Sequence, residues 1–148
     1  MKTLKPFDVR WDELEAGKGY QRVDGVHPLD FYLGKELSGE WGLLLVANYN
    51  VEIPQKTQAI DVTCSRRKDG RWAIVFKLTM PELGKVFAHL CEDLVGFGRT
   101  LDKTSSFADA IIKRYFRWQR LLLKSPSGLM DKRSQLGLLG ELIFLEKP

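Results

Sequence analysis

The chain has 148 residues, of which 44% are hydrophobic and 28% are charged, as in a folded rather than a disordered protein. Its two cysteines, Cys64 and Cys91, are too few for a disulfide framework and match no zinc-ligand pattern, so we expect a cytoplasmic protein. The N-terminus lacks an apolar signal core, and the longest apolar run, within residues 136–145, is too short to span a bilayer. We therefore expect neither a secreted nor a membrane protein.

The net charge of +4 is unevenly distributed along the chain. Residues 61–124 contain 13 Lys and Arg against 7 Asp and Glu, whereas residues 1–60 contain 7 against 9. A basic middle segment indicates an anionic partner such as nucleic acid, although a solvated basic surface would have the same composition.

The first half of the chain has the pattern of β-strands. A short helical turn is predicted near residues 12–14 and a first strand near residues 20–23. Residues 29–33 and 41–47 are apolar runs separated by a polar stretch with a glycine, which predicts a hairpin.

A second hairpin follows. Residues 60–65 alternate apolar and polar side chains, Asp69-Gly70 supplies a turn, and the alternation returns over residues 72–78. The sequence therefore predicts four or five antiparallel strands, each with one buried face.

Beyond Met80 the period of the apolar residues changes from two to about 3.6, which predicts helices. Pro81 suits a first helical position, and an apolar stripe runs from there to about Val95. Gly-Phe-Gly at residues 96–98 is expected to end this helix.

A second long helix is expected to be capped by Thr104, Ser105 or Ser106 and to break at residues 125–128, Ser-Pro-Ser-Gly. Strands followed by helices favour an α+β domain, here residues 1–125.

Residues 129–146 predict a third helix that is apolar on nearly every side. No later segment covers it, so we expect residues 129–148 to open a second domain whose remainder is missing, or to self-associate. A lone carboxylate in this setting, Glu141, destabilises the fold unless it is paired, protonated or at an active or metal site. Equally, Glu141 could lie at a solvated helix edge or pair with Arg133.

Two basic clusters are candidate contacts for nucleic acid. On the second long helix the spacing of four cations, with Arg114 beside them, predicts one stripe that could neutralise successive phosphates. These cations are Lys113, Arg117, Arg120 and Lys124. The tip of the second hairpin carries Arg66, Arg67, Lys68 and Arg71. For both clusters the alternative is a solvated surface.

Other residues with reactive or stacking side chains have simpler interpretations. His27 and His89 have no patterned carboxylate or serine companion, so we expect surface or core roles rather than catalysis. The four tryptophans are expected to anchor the core rather than to stack on bases.

Three segments carry a resemblance to a known family. They are Pro-Glu-Leu-x-x-Val-Phe-x-x-Leu-x-x-Asp-Leu at residues 81–94, Arg-x-x-x-Trp-x-x-Leu-Leu at residues 114–122, and Gln-Leu-Gly-Leu-Leu-Gly-Glu-Leu-Ile-Phe-Leu at residues 135–145. In this order they resemble the N-terminal part of bacterial PD-(D/E)XK motif proteins, which are found near restriction and phage-defence genes. The resemblance implies that Glu141 belongs to the active site of a nuclease-like core.

The resemblance also implies a Mg²⁺-dependent endonuclease that acts on duplex DNA. In that family an Asp and an (Asp/Glu)-x-Lys hold Mg²⁺ on later strands, whereas none of the 19 Asp and Glu here is followed two residues later by Lys. We therefore expect a truncated, catalytically incomplete fragment with no metal of its own. The alternative is a non-catalytic interaction module of a defence complex, which docks a partner through the terminal helix.

Overall fold

The chain folds into an antiparallel sheet that carries helices on one face. The structure, a computed structural model, describes residues 5–103 and 106–123. Its elements are α1 (Phe7–Glu13), β1 (Tyr20–Arg22), β2 (Asp30–Lys35), β3 (Trp41–Ala47), β4 (Ile60–Arg66), β5 (Trp72–Leu78), a 3₁₀ turn (Pro81–Leu83), α2 (Gly84–Gly98) and α3 (Phe107–Leu123). The predicted α+β order, a sheet followed by two long helices, is confirmed. The helix predicted at residues 129–146 lies outside the described residues.

The strands lie in the order β1-β2-β3-β5-β4, and all neighbours are antiparallel. Both predicted hairpins are present, β2 with β3 and β4 with β5. Because β5 lies between β3 and β4, the connection 48–59 must cross the sheet. It crosses on the helical face, where the backbone N–H of Ala108 donates to the hydroxyl of Tyr49 at 3.1 Å.

The core lies between the helices and one face of the sheet. Apolar residues at alternate positions of the strands are fully buried there; they are Phe31, Leu33, Leu43, Leu45, Ile74 and Phe76. Phe87 and Leu90 of α2, with Ile111 and Tyr115 of α3, complete this layer. Burial of each large apolar side chain stabilises the fold by about 1.5–3 kcal/mol, so this layer supplies most of the driving force.

Three of the four tryptophans support this core, as expected, whereas Trp72 is half-buried and lies outside the core cluster. Trp11 and Trp118 are buried, and the Trp11 ring stacks on Trp41 with 5.0 Å between centroids. The Trp11 indole N–H donates to the carbonyl of Gly42 at 3.2 Å, so α1 is fixed against β3.

Two helix boundaries differ from the prediction. The first helix spans Phe7–Glu13 rather than residues 12–14, because the Glu92 carboxylate of α2 accepts the Phe7 N–H at 2.9 Å and caps it from a distance. Gly-Phe-Gly at residues 96–98 does not end α2 but forms its last turn. A Cβ on Gly98 would lie 2.9 Å from the Phe31 ring, so this glycine permits close packing.

His27 is a satisfied core residue. Its Nδ1 accepts the Leu29 N–H at 2.9 Å, so the proton must lie on Nε2, which donates to the Val95 carbonyl at 2.8 Å. Burial lowers the pKa of His27, because the charged ring would lack the solvation that water provides. Protonation of Nδ1 would also break the hydrogen bond from the Leu29 N–H. The imidazole therefore joins the β1–β2 connection to the end of α2 in its neutral form.

This histidine makes stability depend on pH. Below the ordinary value of 6.5 the unfolded chain binds a proton that the folded chain resists, so stability falls as the pH drops. We expect a loss of about 1 kcal/mol in the free energy of unfolding between pH 7.5 and pH 5.5, measured by urea denaturation. In His27→Gln the slope over this interval should disappear, whereas the exposed control His89→Gln should retain it. An unchanged slope in His27→Gln would contradict the assignment.

Candidate functional site

One carboxylate on α2 fixes the rotation of α3. Arg114 donates from Nε and Nη2 to the two oxygens of Asp93 at 2.6 and 2.8 Å, and the Trp118 indole N–H donates to Oδ2 at 2.9 Å. The Arg114 guanidinium also lies 4.5 Å from the centre of the Phe97 ring. Residues 114 and 118 are one helical turn apart and share a face, so both reach the same carboxylate only when that face is turned toward α2.

This rotation turns the basic residues of α3 away from α2. Lys113, Arg117 and Arg120 are exposed and line a cavity of about 760 Å³ between α3 and residues 54–58, where Lys56 joins them. We call this cavity the basic groove. None of the described residues that line it is acidic. Clustered positive charge along a concave surface attracts anions.

The inner wall of the basic groove is apolar. Ile112 and Phe116 line it, and both are largely buried, with 5% and 9% of their surface exposed. The amide side chains of Gln55, Gln58 and Gln119 lie around this apolar wall. The groove therefore combines an aromatic surface, hydrogen-bonding amides and cations.

A chain of hydrogen bonds holds residues 54–58 against α3. Thr57 donates to the Ile60 carbonyl at 2.7 Å, so its oxygen must accept from the Tyr115 hydroxyl at 2.5 Å, and Tyr115 in turn accepts from Gln119 Nε2 at 3.1 Å. Burial raises the pKa of Tyr115 well above its usual range, so the hydroxyl keeps its proton. The wall of the groove is thereby positioned by buried, satisfied polar groups.

The hairpin-tip cluster is a separate surface. Arg67 and Arg71 pair with Asp69 at 3.4 and 3.1 Å, which offsets part of their charge. Arg66 ends β4, whereas the groove adjoins Ile60 at its beginning, and a seven-residue strand is about 20 Å long. The two predicted clusters therefore do not converge on one site.

Arg114, which was expected beside the basic stripe, is turned toward α2 together with the indole of Trp118, and its guanidinium is paired with Asp93. The Arg-x-x-x-Trp pattern thus reflects packing between helices. Of the other predicted residues, Lys124 and Glu141 lie outside the described residues.

Several groove residues were not predicted from the sequence, among them Lys56, Gln58 and Gln119. Lys56 and Gln58 lie in the crossover loop, about fifty positions before α3, and no local pattern indicates that this loop returns to the helix. Gln119 is a buried polar residue on the apolar side of α3, one turn beyond Tyr115. Its role follows only from its hydrogen bond to Tyr115.

Within 5–103 and 106–123, no three His, Cys, Asp or Glu side chains are grouped so that they could share a metal ion. No helix in these ranges has the length and apolar character needed to cross a membrane.

The fold and the groove define an α+β protein with an anion-attracting surface. A family model described as "Putative PD-(D/E)XK family member, (DUF4420)" matches residues 7–148, and the chain belongs to this family. Its description places the chain in the nuclease-like PD-(D/E)XK superfamily, in agreement with the resemblance of the three sequence segments. The chain matched no curated protein and no solved structure.

Removal of the Asp93 carboxylate should destabilise the protein. Asp93→Ala removes three hydrogen bonds, two from the Arg114 guanidinium and one from the Trp118 indole N–H, so we expect a loss of about 2–3 kcal/mol in the free energy of unfolding. Asp93→Asn keeps one acceptor oxygen and should lose less of the free energy of unfolding than Asp93→Ala. The exposed helical control Asp12→Ala should change stability by less than about 0.5 kcal/mol in the same urea titration. Equal midpoints for Asp93→Ala and the unmodified protein would show that the contact is dispensable.

Proposed function

We propose that the chain is the nucleic-acid-contacting part of a PD-(D/E)XK endonuclease-like protein of a restriction or phage-defence system. The observation that carries this proposal is the convergence of three cations of α3 with Lys56 on one groove without acidic lining residues. Membership in a nuclease-like superfamily supports it, because such proteins act on phosphodiesters.

The charges of the groove suit a phosphate backbone. Lys113, Arg117 and Arg120 follow one another along a helix face, so successive phosphates can lie against successive side chains. Lys113 and Arg120 have no ion-pair partner among residues 5–103 and 106–123, so binding breaks no described salt bridge of theirs. Such contacts position a nucleic acid but read no sequence.

The catalytic part of the proposal rests on Glu141 and on Mg²⁺ in the complete protein. A divalent ion would polarise the phosphoryl group and activate water there. The described residues do not offer the carboxylate set that such an ion requires, and the 148 residues contain no (Asp/Glu)-x-Lys. We therefore assign no catalytic step to the residues of the sheet, α1, α2 or α3.

The contribution of the groove can be read from the salt dependence of binding. Each phosphate contact contributes about 0.9 to the negative slope of log affinity against log salt for duplex DNA. Arg117→Gln with Arg120→Gln should therefore weaken binding to a short duplex and flatten the slope by roughly two units, measured by fluorescence anisotropy. The matched control, Arg66→Gln with Arg67→Gln, should leave the slope nearly unchanged. The groove assignment fails if the control variant abolishes binding and the groove variant does not.

A cleavage assay tests the catalytic assignment. The purified 148-residue chain should leave plasmid DNA intact with Mg²⁺ or Mn²⁺, because its sequence contains no (Asp/Glu)-x-Lys and its described residues include no metal-binding group of carboxylates. Cleavage that persists through purification and is lost in Glu141→Ala would show that these residues already form a working active site. Glu141→Gln, which keeps the size of the side chain but removes its charge, is the control for an effect of Glu141→Ala on folding.

A further inference from the structure

The basic groove is larger than phosphate contacts require. Its volume of about 760 Å³ lies within the range of small-molecule and cofactor pockets, roughly 300–1,000 Å³. A helix that only follows a phosphate backbone needs a convex row of cations, not a cavity with an apolar wall. The cavity therefore suits a chemical group that projects from the phosphate backbone into the cavity.

The composition of the wall indicates the chemistry of that group. Phe116 offers a ring, Ile112 an apolar neighbour, and the cations Lys113 and Arg117 lie one turn or less along the same helix. A nucleotide carries the matching set: a flat aromatic base, polar base edges and a phosphate.

Gln119 adds a directional contact. Because the Tyr115 hydroxyl donates to Thr57, it must accept from Gln119 Nε2, which leaves the amide oxygen of Gln119 as an acceptor. No described residue donates to that oxygen, which is accessible to solvent rather than enclosed, and Gln119 lines the groove. Every nucleobase presents at least one N–H on its pairing edge.

We propose that the basic groove receives an unpaired nucleotide. The base stacks on Phe116 and donates to the Gln119 oxygen, and its phosphate contacts Lys113, Arg117 or Arg120. This inference rests on the proposed function and adds a substrate class to it. In a duplex the base edges are paired and the rings are stacked, so a base reaches such a cavity only from a single strand or after extrusion.

The test compares ligands with equal phosphates and different bases. We expect the full chain to bind oligothymidylate of about ten nucleotides at least about five-fold more tightly than an abasic oligomer of that length, because stacking accounts for that difference or more. Single-stranded oligothymidylate should also bind more tightly than the duplex that it forms with its complementary strand. The abasic comparison uses the unmodified protein, so it does not depend on a variant that folds.

A variant then locates the stacking surface. Phe116→Leu keeps an apolar wall but lacks the ring, so the preference for oligothymidylate over the abasic strand should fall to within about two-fold. Tyr32→Leu, which removes a half-buried aromatic ring from the opposite face of the sheet, is the matched control and should keep the preference.

The possible failures are distinguishable. Equal affinity for the abasic and thymidylate strands, or a preference that survives Phe116→Leu, overturns the nucleotide pocket. If salt-dependent binding that requires Arg117 and Arg120 persists in that case, the proposed function stands. If the unmodified chain shows no salt-dependent binding, both the nucleotide pocket and the proposed function are overturned.

Discussion

The arrangement of this molecule depends on the contact of Asp93 with Arg114 and Trp118. A helix that packs on a sheet can satisfy its apolar face over a range of rotations, because hydrophobic contact is not directional. A carboxylate that accepts three hydrogen bonds from two residues one turn apart is directional, and it selects one rotation. That rotation directs Tyr115 to the crossover loop and places Lys113, Arg117 and Arg120 along the groove between α3 and this loop. The groove is therefore a consequence of an interaction on the opposite face of α3.

Positive charge serves two purposes on the same helix. The Arg114 guanidinium is largely buried and paired, and it contributes to stability. Lys113, Arg117 and Arg120 are spaced four and three residues apart, and like charges at such spacings destabilise a helix by about 0.2–0.5 kcal/mol per pair. A bound phosphate would relieve this repulsion. Such a local departure from the most stable arrangement is typical of a surface kept for binding.

The sequence predicted those parts of the fold that depend on local patterns. The alternation of apolar and polar residues predicted the second hairpin, and two apolar runs predicted the first, including β3 at its observed bounds, Trp41–Ala47. The apolar stripe predicted α2. The predicted end of α2 and the predicted start of α1 were wrong. The close packing at Gly98 and the cap from Glu92 both depend on residues that are distant in sequence. For the same reason the cations of α3 were predicted but the groove was not, because its other wall is formed by the loop that crosses from β3 to β4. No residue pattern predicts where a loop of irregular structure returns.

The central claim is that nucleic acid meets the surface that the rotation of α3 exposes. Amide chemical-shift mapping by NMR, with a short oligonucleotide titrated into the ¹⁵N-labelled chain, tests it directly. The account predicts that the largest shifts fall within residues 54–58 and 112–120, which form the two walls of the groove, and that they weaken with added salt. Shifts centred on residues 66–71, or on the sheet face around Tyr32, Leu44 and Val75, would contradict it.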